Sequence, residues 1–280
     1  MIWVGLTGWG DHDSLYEKQS HKLTTYASHF PIVEVDSSFY AIPPQRNIEK
    51  WMEETPSTFT FIVKAFQGIT GHLRGDIPYD SRTKMFEAFK QSIQPMKEAN
   101  KLAMILLQFP PWFECNKENV TYLRYCRQQF SHWDIALEFR HRSWYNEQFM
   151  EKTIAFMEED EWIHSICDEP QAGERSIPFV PHVTNKNKTL FRFHGRNIYG
   201  WSSPRKGENW RDVRYLYEYN NEELTDLAKK IENLSHKTKE SYVLFNNNSG
   251  GHAAKNGKQF IEKLKLNYIG LAPRQLHLFD

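Results

Sequence analysis

Eight short, mainly apolar runs recur along this chain, and most of them are followed by a stretch with a helical pattern. Successive side chains of a strand point to opposite faces of its sheet. In the run 135–140, Leu137 and Phe139 therefore share one face, and Glu138 and Arg140 share the other. The eight runs span residues 2–8, 32–38, 59–65, 102–109, 135–140, 162–168, 190–195 and 242–247. In most runs one face is apolar and the other turns polar at the carboxyl end. This pattern is typical of an α/β protein with a (β/α)8 TIM-type barrel, in which the site lies at the mouth formed by the carboxyl ends of the strands.

The intervals between the runs predict the helices and loops of such a barrel. Helical patterns cover residues 21–29, 46–54, 83–100, 117–129, 144–160, 221–234 and 253–264. Asn116 and Ser143 are suitable N-caps, and Pro95 is expected to kink or divide the third helix. Irregular stretches at 67–82 and 196–212 fall at the mouth, where long loops commonly bind ligands.

A length of 280 residues suits one barrel, which commonly needs about 250 residues, with a short tail. We assign residues 1–265 to the barrel domain and residues 266–280 to the tail. Lysine plus arginine and aspartate plus glutamate number 35 each. The chain therefore has no excess charge that would bind it strongly to nucleic acid or to an anionic membrane surface.

Two features of the sequence indicate a cytoplasmic protein. No apolar run approaches the roughly 20 residues needed to cross a bilayer, and Met1 leads straight into the first strand, which leaves no room for a signal peptide.

The three cysteines, Cys115, Cys126 and Cys167, are odd in number and lack Cys-x-x-Cys spacing. We therefore expect reduced thiols, and neither a disulfide framework nor a zinc knuckle.

Glu138 and Arg140 lie two residues apart on one strand, so both side chains can reach the mouth. Glu138 is the preferred acid or base, and Arg140 can bind a carboxylate or a phosphate. An internal ion pair that only closes the barrel explains the same two residues. Both interpretations remain open.

Glu34 and Lys64 supply further charges at inner-facing strand positions. Two neighbouring carboxylates, Glu34 and Asp36, would raise the pKa of one of them, which suits acid–base catalysis; Asp36 as a loop cap is the alternative. Lys64 can form a Schiff base if it is desolvated, but among these carboxylates it is expected to stay charged and bind an anion. Glu34 and Lys64 are therefore predicted to be supporting catalytic charges.

The segment after the eighth run is rich in asparagine and glycine. Gly250 and Gly251 would let backbone N–H groups approach an anion at the N-terminus of the last helix; a tight turn that needs glycine is the alternative. Arg192 is expected to bind the same anion, and His194 to transfer a proton. The remaining candidate substrate-binding residues are Gln108, Asp168, Asn246 and Asn247. We expect the inner-facing side chains to converge on one cavity at the mouth.

A divalent metal remains open, although nothing in the sequence requires a cofactor. The oxygen and imidazole donors predicted near the mouth are Glu34, Asp36, Glu138, His164, Asp168 and His194. Lys64, Arg140 and Arg192 should face the same mouth and nearly cancel the carboxylates, whereas a multi-metal pocket needs an excess of ligand charge. We assign no metal ligand.

Six segments, taken together and in order, resemble the YecE-like family, also called domain of unknown function 72. They are residues 5–9 (GLTGW), 33–40 (VEVDSSFY), 63–65 (VKA), 137–144 (LEFRHRSW), 192–195 (RFHG) and 245–247 (FNN). The resemblance covers essentially the whole barrel, and it implies a TIM-type barrel without an established reaction. The likeness of that family to sugar isomerases is one of fold, which does not transfer chemistry.

The last residues, 273–280, resemble the Gln-Leu-x-Leu-Phe peptide with which bacterial replication and repair proteins dock on the sliding clamp. Gln275 would supply a directional hydrogen bond, while Leu276, Leu278 and Phe279 would enter an apolar groove. Packing of this tail back over the barrel is the alternative.

Two hypotheses about function follow. The first is a cytoplasmic barrel enzyme that uses acid–base chemistry on a small anionic substrate, phosphorylated or nucleotide-like. The second is a non-catalytic accessory module of DNA replication or repair that the sliding clamp recruits. An anion bound at the mouth would favour the first hypothesis, and a mouth plugged by bulky side chains would favour the second.

Overall fold

Eight parallel strands close into one barrel within the part of the chain that the structure describes. The structure is a computed structural model, and it describes residues 1–16, 20–202 and 213–274. Neighbouring strands pair in chain order, and β8 pairs with β1 to complete the barrel. The strands are β1 (Ile2–Thr7), β2 (Ile32–Val35), β3 (Thr60–Lys64), β4 (Leu102–Gln108), β5 (Ile135–Glu138), β6 (Ile163–Asp168), β7 (Lys188–Phe193) and β8 (Glu240–Phe245). The predicted (β/α)8 fold is confirmed.

Each strand matches a predicted run, but most strands end earlier than the runs do. β2 ends at Val35 and β5 at Glu138, so Asp36 and Arg140 lie just beyond the sheet. His194 likewise follows the end of β7. The last polar residues of these runs therefore project from the rim of the barrel rather than from its wall.

Helices surround the barrel, with some differences from the predicted pattern. They are α1 (Lys22–Ala27), α2 (Gln45–Glu53), α3 (Arg82–Glu98), α4 (Lys117–Gln129), α5 (Met150–Glu159), α6 (Ile198–Ser202), α7 (Asn221–Ser235) and α8 (His252–Lys263). Pro95 lies inside α3 without dividing it. Ser143 is not the N-cap of α5, because Arg142–Tyr145 form a separate 3₁₀ turn and Asn146 is extended. α6 occupies part of a stretch predicted to be irregular.

The inner face of the barrel is apolar in its lower part, towards the N-terminal ends of the strands. Its buried side chains form a cluster separate from the larger one between strands and helices. The cluster comprises Ile32, Ile62, Ala103, Met104, Leu106, Ala136, Ile163, Leu190, Tyr242 and Leu244, with Trp3 packed against it. Most of these residues stand two positions before a polar inner-facing residue, as Leu106 stands before Gln108 and Leu190 before Arg192. Each strand therefore passes from this apolar plug to a polar layer within two residues.

The chain after α8 packs against the lower end of the barrel. Tyr268 stacks on Trp3 with ring centroids 5.8 Å apart. The Ala272 N–H donates to the carbonyl of Ala27 (3.0 Å). Residues 266–274, assigned to the tail, thus contact the barrel at the end opposite the mouth. The candidate clamp-binding residues Gln275, Leu276, Leu278 and Phe279 lie outside the described residues.

Two further features bear on where such a chain can work. Cys115, Cys126 and Cys167 are all present as free thiols. Across residues 1–16, 20–202 and 213–274, no helix combines the length and the apolar character needed to cross a membrane.

Candidate functional site

A network of buried charges lies directly above the apolar plug, at the mouth of the barrel. Arg192, which follows the alternation of β7, donates from Nε and NH2 to the two oxygens of Glu34 on β2 (2.9 and 2.7 Å). Its NH1 donates to Glu138 Oε2 on β5 (2.7 Å). Arg192 is 1% exposed, and both carboxylates are fully buried. One guanidinium therefore joins three strands that are distant in the sequence, as the alternation of inner-facing residues predicted.

Glu138 is the acceptor at the centre of this network. Its Oε1 accepts from Gln108 Nε2 (2.6 Å) and pairs with Arg140 Nε (2.8 Å), while Oε2 also accepts from Ser165 Oγ (3.0 Å). Burial alone would raise the pKa of Glu138, but the guanidiniums of Arg192 and Arg140 hold it well below its usual range. A carboxylate that stays ionised, accepts three hydrogen bonds and pairs with a second guanidinium is a poor base. Its contacts suit an anchor for two guanidiniums.

Arg140 also contacts a second carboxylate, that of Glu169, which immediately follows β6. Arg140 NH1 donates to Glu169 Oε2 (3.0 Å), and Glu169 Oε1 accepts from the Ile177 N–H (2.7 Å). Burial raises the pKa of Glu169 to about 7, against the opposing effect of Arg140. One guanidinium is thus flanked by Glu138, which stays ionised, and by Glu169, which gains or loses a proton near neutral pH.

The sequence pattern predicted Asp168, and not Glu169, at the mouth. Asp168 lies on the outer face of β6, where it accepts from Arg196 NH2 (2.8 Å). The expectation that Asp168 shares the inner cavity is therefore wrong. The inner-facing residues of β6 are Ile163, Ser165 and Cys167, and Glu169 continues their alternation. Correct assignment of the two faces of this strand would have found Glu169.

His194 lies beside Arg140 on one side and Asn246 on the other. Its Nδ1 is 2.8 Å from Asn246 Nδ2, and its Nε2 is 3.3 Å from Arg140 NH2 and 3.6 Å from Glu138 Oε1. Burial, together with the Arg140 guanidinium, holds the pKa of His194 well below its usual range. The imidazole is therefore uncharged at neutral pH, so that one ring nitrogen can donate while the other accepts.

Lys64 extends the network towards the loops after β2 and β3. Its ammonium lies 2.8 Å from Asp36 Oδ1 and 4.5 Å from the centroid of the Phe39 ring. Burial would lower the pKa of Lys64, but Asp36 and Glu34 outweigh this effect and raise it. Burial also raises the pKa of Glu34, against the effect of Arg192. A lysine that stays charged is unsuited to forming a Schiff base and suited to attracting an anion.

The segment after β8 forms a loop that contacts α8. Asn247 Nδ2 donates to Asn256 Oδ1 on α8 (2.8 Å), so this amide nitrogen is engaged by α8, and anion binding by Asn247 stays a prediction. Gly250 and Gly251 have φ of 73° and 74°, a conformation that favours glycine. All three guanidinium nitrogens of Arg192 donate to carboxylates. Arg192 is thus committed to carboxylates, and anion binding at Gly250 and Gly251 stays a prediction.

Aromatic side chains cover the network. Trp201, on α6, has its ring centroid 5.3 Å from Arg140 Cζ and 3.8 Å from Arg214 Cζ. The ring of His194 lies 6.2 Å from those of Trp201 and Tyr215, centroid to centroid. Bulky side chains thus close the mouth, which is the arrangement we associated with a binding module. Trp201 is, however, also a wall of a surface cavity of about 540 Å³, so this indole adjoins both the cavity and Arg140.

One group of potential metal ligands occurs in the described part of the chain. Donor atoms of Glu138, Cys167 and His194 lie within 4.8 Å of one another, and all three residues are buried. Burial raises the pKa of the Cys167 thiol well above its usual range. A metal ion would also have to displace Arg140 and Arg192 from Glu138. This donor set therefore fits a metal poorly.

Comparison with known proteins identifies relatives along the whole chain. The profile of a family described as protein of unknown function DUF72 matches residues 3–277. The chain is 60% identical over 282 residues to the UPF0759 protein YunF of Bacillus subtilis (strain 168), with complete coverage of both proteins. A crystal structure of a DUF72 family protein from Enterococcus faecalis V583 matches with a TM-score of 0.93 and 42% identity, covering 99% of this chain and 100% of that one. A second, from Thermotoga maritima MSB8, matches with a TM-score of 0.81 and 31% identity, covering 95% and 100%.

Proposed function

The chain belongs to the DUF72 family, and from that premise we propose that it is a barrel enzyme that uses acid–base chemistry on a small anionic substrate, phosphorylated or nucleotide-like. The description of the family names no reaction, and the barrel fold supports many unrelated activities. The geometry of the mouth is therefore what supports an enzymatic role.

The observation that carries this proposal is the pair of carboxylates on either side of Arg140. The pKa of Glu138 lies well below its usual range, whereas that of Glu169 is raised to about 7. Titratable pairs whose environments separate their pKa values are typical of acid–base sites. We assign proton transfer to Glu169, and to Glu138 the task of fixing the Arg140 guanidinium.

Two neighbouring residues complete this assignment. His194 is uncharged, and its Nε2 lies 3.3 Å from Arg140 NH2, where a neutral imidazole can form a hydrogen bond with the substrate. Asn246 orients that imidazole through its contact with Nδ1. Lys64 keeps its charge and adds a cation to the same mouth.

An anionic substrate follows from the hydrogen bond that Arg140 and Glu169 share. When Glu169 is ionised, it neutralises the NH1 side of the guanidinium. When Glu169 is protonated, a phosphate or carboxylate oxygen of the substrate can take that place. Binding of the anion is thereby coupled to uptake of a proton by Glu169. Access to Arg140 requires the Trp201 side chain to turn aside.

Untargeted metabolite profiling with the purified protein tests this function. The wild type should deplete one phosphorylated or nucleotide-like metabolite and accumulate a product. Glu169→Gln keeps the shape of the side chain but exchanges no proton, and should lower turnover by about 10²- to 10⁴-fold. Asp168→Asn, on the outer face one residue away, is the matched control and should retain turnover. Consumption of no metabolite by the wild type, or equal turnover by Glu169→Gln, would contradict the proposal.

The second candidate function, recruitment by the sliding clamp, is favoured by the position of the tail. Residues 266–274 contact the lower end of the barrel, so the last described residue lies at the end opposite the mouth. Docking on the clamp would then leave the mouth accessible, and the clamp would bring a chain of zero net charge to DNA. Three free thiols fit a reducing cytoplasm for either role.

Calorimetric titration with purified bacterial sliding clamp tests this second function. The full chain should bind, and a variant that lacks residues 275–279 should not. Equal heats for the two proteins, or no binding by the full chain, would exclude it.

A further inference from the structure

The surface cavity on the outer side of Trp201 has the size and position of a ligand site. Its volume of about 540 Å³ lies within the range of small-molecule sites. It is lined by residues that follow β4, β5 and β6, together with Trp201, and so opens at the carboxyl ends of the strands. This is the end of a TIM-type barrel at which substrates bind.

Two indoles line this cavity, and each contacts a neighbouring residue. Trp112 is 55% exposed, and its ring lies 5.8 Å from that of His72 in a T-shaped arrangement, while His72 Nδ1 lies 2.9 Å from Thr70 Oγ1. Trp201 Nε1 donates to the carbonyl of Arg175 (3.2 Å). A large exposed indole that neighbouring side chains hold in one orientation is a platform for stacking, because the apolar face it leaves in water is stabilised when another ring covers it.

The polar residues of the cavity carry mixed charge. Glu114 and Glu174 supply carboxylates, and Arg175 and His141 supply donors. His141 is itself held by Ser143 Oγ (2.8 Å). Carboxylates of this kind would repel a phosphate but accept hydrogen bonds from hydroxyl or amino groups. The part of a ligand that sits here is therefore uncharged and rich in donors.

We propose that the cavity binds the uncharged ring of the substrate, stacked against Trp112, while the anionic group of the same molecule is directed past Trp201 towards Arg140. The chemistry common to candidate ligands is a ring with an apolar face and a polar rim, as in a hexose or a nucleoside. The second half of this statement rests on the proposed function, because it uses the anion-binding role of Arg140. The first half depends only on the cavity.

Binding measurements with paired probes test the two halves separately. The probes are the four common ribonucleosides and four hexoses, each with and without one phosphate, titrated by calorimetry at up to millimolar concentration. We expect one class of ring to bind, and its phosphorylated form to bind more tightly. Trp112→Ala should weaken both forms about tenfold or more, since aromatic stacking is worth about 1–3 kcal/mol, and Trp112→Phe should restore most of the loss.

Tyr40→Ala is the matched control, because Tyr40 is a half-exposed aromatic residue after β2 that does not line the cavity. Unchanged affinity in Trp112→Ala, binding of no probe, or equal losses in Trp112→Ala and Tyr40→Ala would each overturn the proposal. Binding of a bare ring that depends on Trp112 and gains nothing from the phosphate would keep the ring site and refute the anionic substrate. Tighter binding of phosphorylated probes that is independent of Trp112 would keep the anionic substrate and refute the ring site.

Discussion

The lower and upper halves of the barrel interior differ sharply although the same strands build both. Below, the inner-facing side chains are aliphatic or aromatic and pack into a closed plug. Above, Glu34, Glu138 and Arg192 stand two residues further along their strands and Arg140 lies just beyond β5; all four are buried but paired as ions. The residues that stabilise the barrel and those proposed to carry chemistry thus lie at different heights along the same strands, and not in different parts of the chain.

The two layers contribute to the free energy of unfolding in different ways. Burial of apolar surface in the plug is favourable in itself. In the upper layer, removing charges from water costs several kcal/mol per ion, and their mutual attraction only offsets that cost when every partner is present. The upper layer should therefore be sensitive to loss of any one charge while adding little net stability.

The largest expected effect comes from removing the shared anion of the upper layer. Glu138→Gln would leave the guanidiniums of Arg140 and Arg192 buried with too little negative charge. We expect a loss of about 3–5 kcal/mol in the free energy of unfolding, measured by urea denaturation. A loss below about 1 kcal/mol would mean that Glu138 does not anchor the guanidiniums.

A substitution in the plug should cost a similar or smaller amount of stability and act differently. Leu106→Ala removes a fully buried side chain of the lower layer, and we expect a loss of about 2–5 kcal/mol from the cavity that it creates. Ligand affinity at the mouth should stay within a factor of two in the fraction that is folded. If Leu106→Ala abolished binding while the fold persisted, the two layers would not be independent.

The pH dependence of stability sharpens the comparison further, because only the upper layer titrates near neutrality. The pKa of Glu169 is raised from 4.5 to about 7 in the folded state, so the folded protein holds this proton more tightly than the unfolded chain. Its contribution to stability is present below about pH 4.5 and is lost as the pH rises through 7. The stability of the wild type minus that of Glu169→Gln should fall across this window, by at most about 1.4 kcal/mol per pH unit. A flat difference between pH 5 and pH 8 would place the pKa of Glu169 elsewhere.

The smallest effect is expected at Thr7, the inner-facing residue at the end of β1. Its Oγ1 is buried, and among the described residues it has no hydrogen-bond partner. Thr7→Val should therefore change the free energy of unfolding by no more than about 1 kcal/mol, and in the stabilising direction, because it removes an unsatisfied polar atom. A clear loss of stability in thermal denaturation would show that this hydroxyl has an acceptor or donor after all.

The alternation of side chains was sufficient to predict the fold and most of the network. Glu34, Glu138 and Arg192 come together because each lies on the polar face of a strand whose other face is apolar, and Arg140 and His194 continue that alternation just beyond β5 and β7. β6 offered no such contrast, since His164, Ser165 and Asp168 put polar groups on both of its faces, and Asp168 was placed on the wrong one.

Other parts of the site could not be read from strand alternation. Trp201 covers the network from α6, and its position depends on the path of a loop. Loop paths are fixed by tertiary contacts such as the hydrogen bond from Trp201 Nε1 to the Arg175 carbonyl. The pairing of carboxylates with guanidiniums also depends on distances across the barrel. The local sequence holds no information on those distances.

The bond between Arg192 and Glu34 joins residues that are 158 positions apart. A chain that has formed only β1 to β6 therefore exposes the carboxylates of Glu34 and Glu138 at its mouth with Arg140 as the nearer counter-charge, and these groups hold water there. An incomplete barrel lacks the cation that β7 supplies. We therefore expect the ionic layer to form late in folding, so that substitutions within it accelerate unfolding more than they slow folding, as the two limbs of a chevron plot would record.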